Sequence, residues 1–127
     1  MILSKSGHAR LQPVTTPDAK SVQMAVLLGP EQGAPRFAMR RFVLAAGGHT
    51  PKHQHDFEHE IYIIRGRGTV WTSSLGETSV GAGDALFIPA NEPHQFLNHS
   101  PLTLEFLCMV PVGCGCQTAT HGIPARH

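Results

Sequence analysis

Three histidines, His53, His55 and His59, crowd into the run Gly47-Gly48-His49-Thr50-Pro51-Lys52-His53-Gln54-His55-Asp56-Phe57-Glu58-His59-Glu60. A fourth, His94, follows in Gly83-Asp84-Ala85-Leu86-Phe87-Ile88-Pro89-Ala90-Asn91-Glu92-Pro93-His94-Gln95-Phe96-Leu97-Asn98. Side chains alternate across a strand, so His53 and His55 can point to one side. His59 shares their parity, although Asp56-Phe57-Glu58 could interrupt a strand there. Such a pair offers one cation two imidazoles, and a third nearby with a fourth from another strand completes most of a shell. Neutral imidazole suits Mn, Fe, Co, Ni, Cu and Zn. Four nitrogens at roughly 2.0–2.2 Å would leave up to two positions open on a six-coordinate ion. Open adjacent positions are what a bidentate substrate, dioxygen or a peroxide requires. The plain alternative is that these histidines are exposed loop residues, since a lone His-x-His matches by chance. The glycine ahead of the pair and the second histidine motif favour the metal.

The elements that would position them are short strands. Glycine and proline punctuate the chain, and Val, Ile, Leu, Phe and Thr fill the runs between, the pattern of a sandwich or barrel. The candidate strands are Val22–Leu28, Phe37–Leu44, Glu60–Arg65, Gly68–Ser73, Thr78–Val80, Ala85–Ile88, His94–Leu97 and Leu102–Met109. No long window carries a helical period, and only residues 17–24 suggest a short helix. Arg65-Gly66-Arg67-Gly68 and Gly81-Ala82-Gly83-Asp84 read as tight reversals between strands. Residues 1–111 are expected to form the barrel with an N-terminal strand arm, and residues 112–127 a poorly ordered tail.

With these motifs in place the chain resembles the small single-domain cupins, and in detail those of the four-histidine, manganese-type subgroup. The first family motif reads glycine, five residues, His-x-His, three or four residues, glutamate, six residues, glycine; Gly47, His53, His55 and Gly66 fit it. Three intervening residues bring the glutamate position onto His59, so histidine stands where many cupins have glutamate. Glu60 is the competing choice, but alternation would turn it away from His53 and His55, leaving it outward or behind the ligands. In the second motif Gly83, Pro89, His94 and Asn98 fit, and Asn91 replaces a glycine. Asparagine tolerates left-handed backbone better than most residues. The resemblance implies an all-β fold, the double-stranded β-helix or jelly-roll barrel. It also implies one divalent transition metal on His53, His55, His59 and His94, manganese first among the candidates, and a homodimer with N-terminal strands exchanged.

Imidazole in place of carboxylate changes the chemistry. Three histidines and a glutamate leave a dication at +1, whereas four neutral histidines leave it at +2. The ion is then a stronger Lewis acid for anionic ligands and harder to oxidise. Each ligand must be neutral, so affinity should fall as pH drops through the histidine range. Phe106 and Cys108 share one face of their strand and are placed inward, as pocket or plain core. Arg40, on a face with Phe42 and Leu44, could hold an anionic group; Arg41 is the competing choice. Thr50 is a further pocket candidate. Cys114, Cys116 and His121 hint at a second metal site, but a reduced tail fits the loose spacing better. The remaining histidines read as surface residues or neighbours of the ligands, and Tyr62 and Trp71 as core or dimer-interface groups.

Composition excludes several classes. The chain has 127 residues, a formal charge of +1 and 15% charged residues, which gives no electrostatic reason for nucleic acid or an anionic membrane as partner. Three cysteines are no disulfide framework. No secretory signal or membrane-length apolar run is visible, so a cytoplasmic location is expected. The functional expectation is a metal-dependent oxidoreductase, dioxygenase-like, acting on a small organic molecule. Non-redox isomerase or lyase chemistry and binding without catalysis are the alternatives.

Overall fold

Short β-rich runs ended by glycine and proline fold as antiparallel strands here. The computed structural model describes residues 1–5 and 9–113. Its strands are β1 (Gln12–Pro13), β2 (Lys20–Leu28), β3 (Phe37–His49), β4 (His59–Arg65), β5 (Arg67–Thr72), β6 (Gly76–Gly81), β7 (Ala85–Ile88), β8 (His94–Leu97) and β9 (Leu104–Pro111), with a 3-10 turn at Pro30–Gln32. The sheet runs β6-β5-β8-β3-β9-β4-β7, with β2 on β3 and β1 on β2. Long β3 changes partner along its length. It pairs with β9 from Phe37↔Pro111 to Leu44↔Leu104, and its last residue, His49, pairs with Leu97 of β8. That change of partner curls the sheet into two facing walls, the jelly-roll barrel expected from the sequence.

Register lines up the inward side chains. Arg40, Cys108 and Ile61 are mutual neighbours across β3, β9 and β4, as are Phe42, Phe106 and Ile63. With Leu44, Leu104, Val70, Val80, Ile88 and Phe96 they form the buried core. The other face of the same strands carries Arg41, Glu105 and Tyr62. Glu105 pairs with Arg41 Nε at 2.5 Å and Arg65 Nη2 at 3.1 Å.

Several expectations change. Residues 20–24 are not helical; they open β2, where Val22 pairs with Leu44 and Met24 with Phe42. Burial of alternate residues against β3 outweighs local helix preference. The two glycine-rich turns are corners rather than hairpins, because β4 pairs with β7 and β9 while β5 pairs with β6 and β8. At the first corner Gly66 has φ +84°, and a Cβ there would lie 2.2 Å from the Thr103 carbonyl oxygen. Only glycine fits that approach. Tyr62 is 46% exposed rather than core. Trp71 is half-buried beneath Lys52, whose Nζ lies 4.1 Å from the ring centroid. The tail with Cys114, Cys116 and His121 lies outside the described residues. No helix among the described residues is long and apolar enough to cross a membrane.

Candidate metal centre

Backbone hydrogen bonds, rather than a regular strand, bring the two histidine segments together. Thr50 N–H donates to the Phe96 carbonyl at 2.9 Å, and Asn91 N–H donates to that of His55 at 2.7 Å. Between them His53 and His94 exchange both backbone bonds, at 3.1 and 2.9 Å. Pro51, Pro89 and Pro93 lack N–H groups, which keeps this stretch from becoming a continuous ladder. So His53 and His55 converge from a loop, and the simple strand alternation of the sequence reading is not how they do it. His59 arrives separately, as the first residue of β4. Asn91 has φ +67°, the left-handed backbone expected where it replaces glycine.

One ring nitrogen from each of His53, His55 and His94 lies within 4.8 Å of the others. His59 joins through His55, Nε2 to Nε2, at 2.5 Å. The rings of His55, His59 and His94 are buried. Carbonyls only accept hydrogen bonds, so they fix two tautomers. His55 Nδ1–H donates to the Phe57 carbonyl at 3.0 Å, and His94 Nδ1–H to that of Glu92 at 2.8 Å. Each Nε2 lone pair is thereby left for the centre. His59 Nδ1 meets Cys108 Sγ at 2.9 Å.

The environment favours the neutral form of His59 and His94. Burial is the main reason His59 sits well below the usual histidine range, and the nearby Arg40 guanidinium adds to it. Burial also lowers His94, against a raising influence from the Glu92 carbonyl. Converging imidazoles, with the outer nitrogens of His55, His59 and His94 engaged, fit a divalent transition ion.

The adjoining cavity is small, about 20 Å³. Arg40, Thr50, Phe106 and Cys108 all line it, beside His53, His59, His94, Phe42 and Phe96. Arg40 is fully buried, whereas Arg41 faces outward onto Glu105. Thr50 Oγ1 is already engaged, accepting from Phe96 N–H at 2.9 Å. Glu60 is exposed on the outer side. Two contributors escaped sequence reading. Phe57 stacks on the His55 ring at 3.9 Å and lends it a carbonyl, and Phe96 stacks on Phe106 at 4.7 Å. Backbone carbonyls carry no residue-type signal, so these were legible only in three dimensions.

Comparison with known proteins agrees with this architecture. The cupin domain family profile, Cupin_2, matches residues 40–110. The chain belongs to the cupin family. Among solved structures, this cupin is similar to the polyketide cyclase RemF from Streptomyces resistomycificus, at 34% identity and TM-score 0.82, covering 87% of this chain and 79% of that one. It is also similar to a predicted oxalate decarboxylase from Thermotoga maritima, at 27% identity and TM-score 0.75, covering 87% and 99%. A curated relative, the 1-methylthio-D-xylulose 5-phosphate methylsulfurylase of Rhodospirillum rubrum, is 33% identical over 72 residues, 57% of this chain and 46% of that protein. The chain spans less than half the length of the curated relatives it matches.

Proposed function

We propose that this cupin is a metal-dependent enzyme for a small organic molecule with acidic oxygens, using His53, His55, His59 and His94 to hold one divalent ion. The observation that carries this reading is the convergence of histidine nitrogens, three of them within 4.8 Å of one another. The bound ion would supply Lewis acidity or a redox couple beside the substrate. Manganese is the first candidate, with Fe, Cu, Ni, Co and Zn as alternatives. Arg40 would pair with a carboxylate, phenolate or enolate oxygen. The stacked rings of Phe42, Phe106 and Phe96 would give the reacting end of the molecule an apolar wall. With about 20 Å³ of room, the cavity takes only the reacting end of such a molecule.

Two reaction classes divide the reading. Non-redox chemistry, a cyclisation or isomerisation, is supported by the 34% identity to a polyketide cyclase. It is also supported by charge, because four neutral donors leave the ion at +2. No carboxylate lines the cavity among the described residues, so proton movement there would fall to imidazole or thiol. Oxygen- or peroxide-dependent, dioxygenase-like oxidation is the second class, supported by donors that suit redox metals equally well.

One experiment separates them. Protein loaded with Zn(II), Mn(II) or Fe(II) is offered poly-β-ketone, aryl-alkene, thiol and diketone candidates with and without oxygen. Turnover with zinc in the absence of oxygen supports the Lewis-acid class. Turnover only with a redox metal and oxygen or peroxide supports the oxidative one. Ligand binding without turnover would make the protein a sensor, and failure to take up any metal overturns the whole reading. We further read the protein as a homodimer, since Phe37 and Phe87 are 68% and 61% exposed on its surface, and, from its near-neutral charge, as a cytoplasmic protein without nucleic-acid or membrane partners. Sedimentation of the full chain tests the dimer.

A further inference from the structure

His55 and His94 are oriented by backbone carbonyls, but His59 is oriented by a side chain. Its Nδ1 lies 2.9 Å from Cys108 Sγ, and Arg40 Nη2–H donates to the same sulfur at 3.1 Å. Strand pairing makes this contact systematic. Cys108 of β9 faces Arg40 of β3 on one side and Ile61 of β4 on the other, and His59 precedes Ile61 by two residues on the same face. Arg40, His59 and Cys108 are 0%, 5% and 3% exposed.

We infer that Cys108 is a positioning residue for His59, itself held in place by Arg40. Its functional consequence rests on the metal reading above; its geometry does not. A thiol suits the task because sulfur can accept from Nδ1–H when Nε2 serves a cation. It can equally donate S–H to Nδ1 when Nε2 carries the proton toward His55. Either way the imidazole plane stays fixed with Nε2 facing the other rings. Alanine or valine offers neither bond. Arg40 limits the rotation of the sulfur, and its own guanidinium is steadied over the Phe42 ring, 5.1 Å from the centroid.

The test compares full-length wild type with C108A, C108V and C108S by two readouts. The first is the pair of ¹⁵N ring resonances of His59 in metal-free protein, which report tautomer and orientation. The second is Co(II) and Mn(II) affinity with the Co(II) d–d spectrum. C108A and C108V should shift or broaden the His59 ring signals, change the Co(II) spectrum and lower metal affinity roughly 10–100-fold, the usual effect of losing a ligand's outer partner. C108S, which keeps a donor and an acceptor, should recover most of both. If C108A does not fold, C108V, which fills the space of the thiol with apolar atoms, decides in the same way. Ring resonances and affinity unchanged in the valine or alanine variant overturn the inference and leave Cys108 as packing. Failure of wild type to take metal overturns the proposed function instead, and the ring resonances still decide the role of Cys108.

Discussion

At one end of the barrel interior Leu44, Ile63 and Leu104 are 0% exposed and belong to the apolar core. At the other end the same three strands place Arg40, His59 and Cys108 inward, just as buried. Strand β8 repeats the pattern, running from His94 to Phe96. Each strand thus changes from chemical to apolar residues at about the same level, without changing which face looks inward. The apolar end gains free energy from burial. The chemical end loses some, because imidazole and guanidinium groups leave water for incomplete compensation. Stability and function are therefore separated along the barrel axis, and substitutions at the two ends should act in opposite directions.

The sharpest test of that division is to replace a proposed ligand by an apolar residue of similar size. His94→Leu should abolish high-affinity metal uptake, an effect larger than the roughly 10–100-fold expected for an outer partner. The metal-free protein should melt near the wild-type temperature, because removing a buried polar ring offsets the loss of its hydrogen bond to the Glu92 carbonyl. Titration calorimetry and thermal melts check the two halves. A large loss of metal-free stability would break the comparison, since His94 would then be part of what holds the fold.

At the apolar end Leu104→Ala should destabilise by about 2–5 kcal/mol, the range for a large buried aliphatic cut to alanine. Molecules that remain folded should still bind metal normally. Asn98→Ala should cost about 1–3 kcal/mol for a different reason. Its Nδ2 donates to the carbonyls of Leu44, Ala45 and Leu102, and its Oδ1 accepts from Ser100. Truncation leaves the buried Leu44 carbonyl, and the partly buried ones of Ala45 and Leu102, without their donor. Urea denaturation measures both, and metal stoichiometry per folded molecule shows whether the effect stays at its own end.

The two ends also differed in how plainly the sequence declared them. Strand runs were legible because apolar residues and turn formers follow simple periods, and Ala85–Ile88 and His94–Leu97 appear with the expected limits. Phe106 and Cys108 lie on the inward face for the same reason. The path of residues 50–58 was not legible. Proline removes ladder donors there, so His53 and His55 are placed by long-range backbone bonds to 91–96 instead of by alternation. Gly66 was legible as a turn residue but not as a corner between walls, because its constraint comes from the distant Thr103 carbonyl. The choice between Arg40 and Arg41 needed register, since adjacent residues differ only in which face they take. The outer partners of the histidines, two carbonyls and one sulfur, had no local pattern at all.

Proton linkage offers the smallest effects and the finest separation. Burial lowers the affinity of His59 and His94 for protons in the folded state relative to the unfolded chain, whose histidines titrate near about 6.5. The folded state therefore binds fewer protons than the unfolded one below that value. Stability should be full above about pH 6.5 and decline as pH falls through it. Glu105 acts lower. Its hydrogen bond from Arg41, helped by Arg65, holds its carboxyl below the usual carboxylate range. Its contribution is present above about pH 4.5 and is lost as pH falls further. Arg41 and Arg65 side chains are 35% and 62% exposed, so solvent screens the pair, and Glu105→Gln should cost only about 1 kcal/mol at neutral pH. In metal-free protein His94→Leu should flatten the decline that starts near pH 6.5 and leave the acid limb, while Glu105→Gln should do the reverse. If both variants altered the same limb, the site and the outer face of β9 would be electrostatically coupled, and the separation along the barrel would be incomplete.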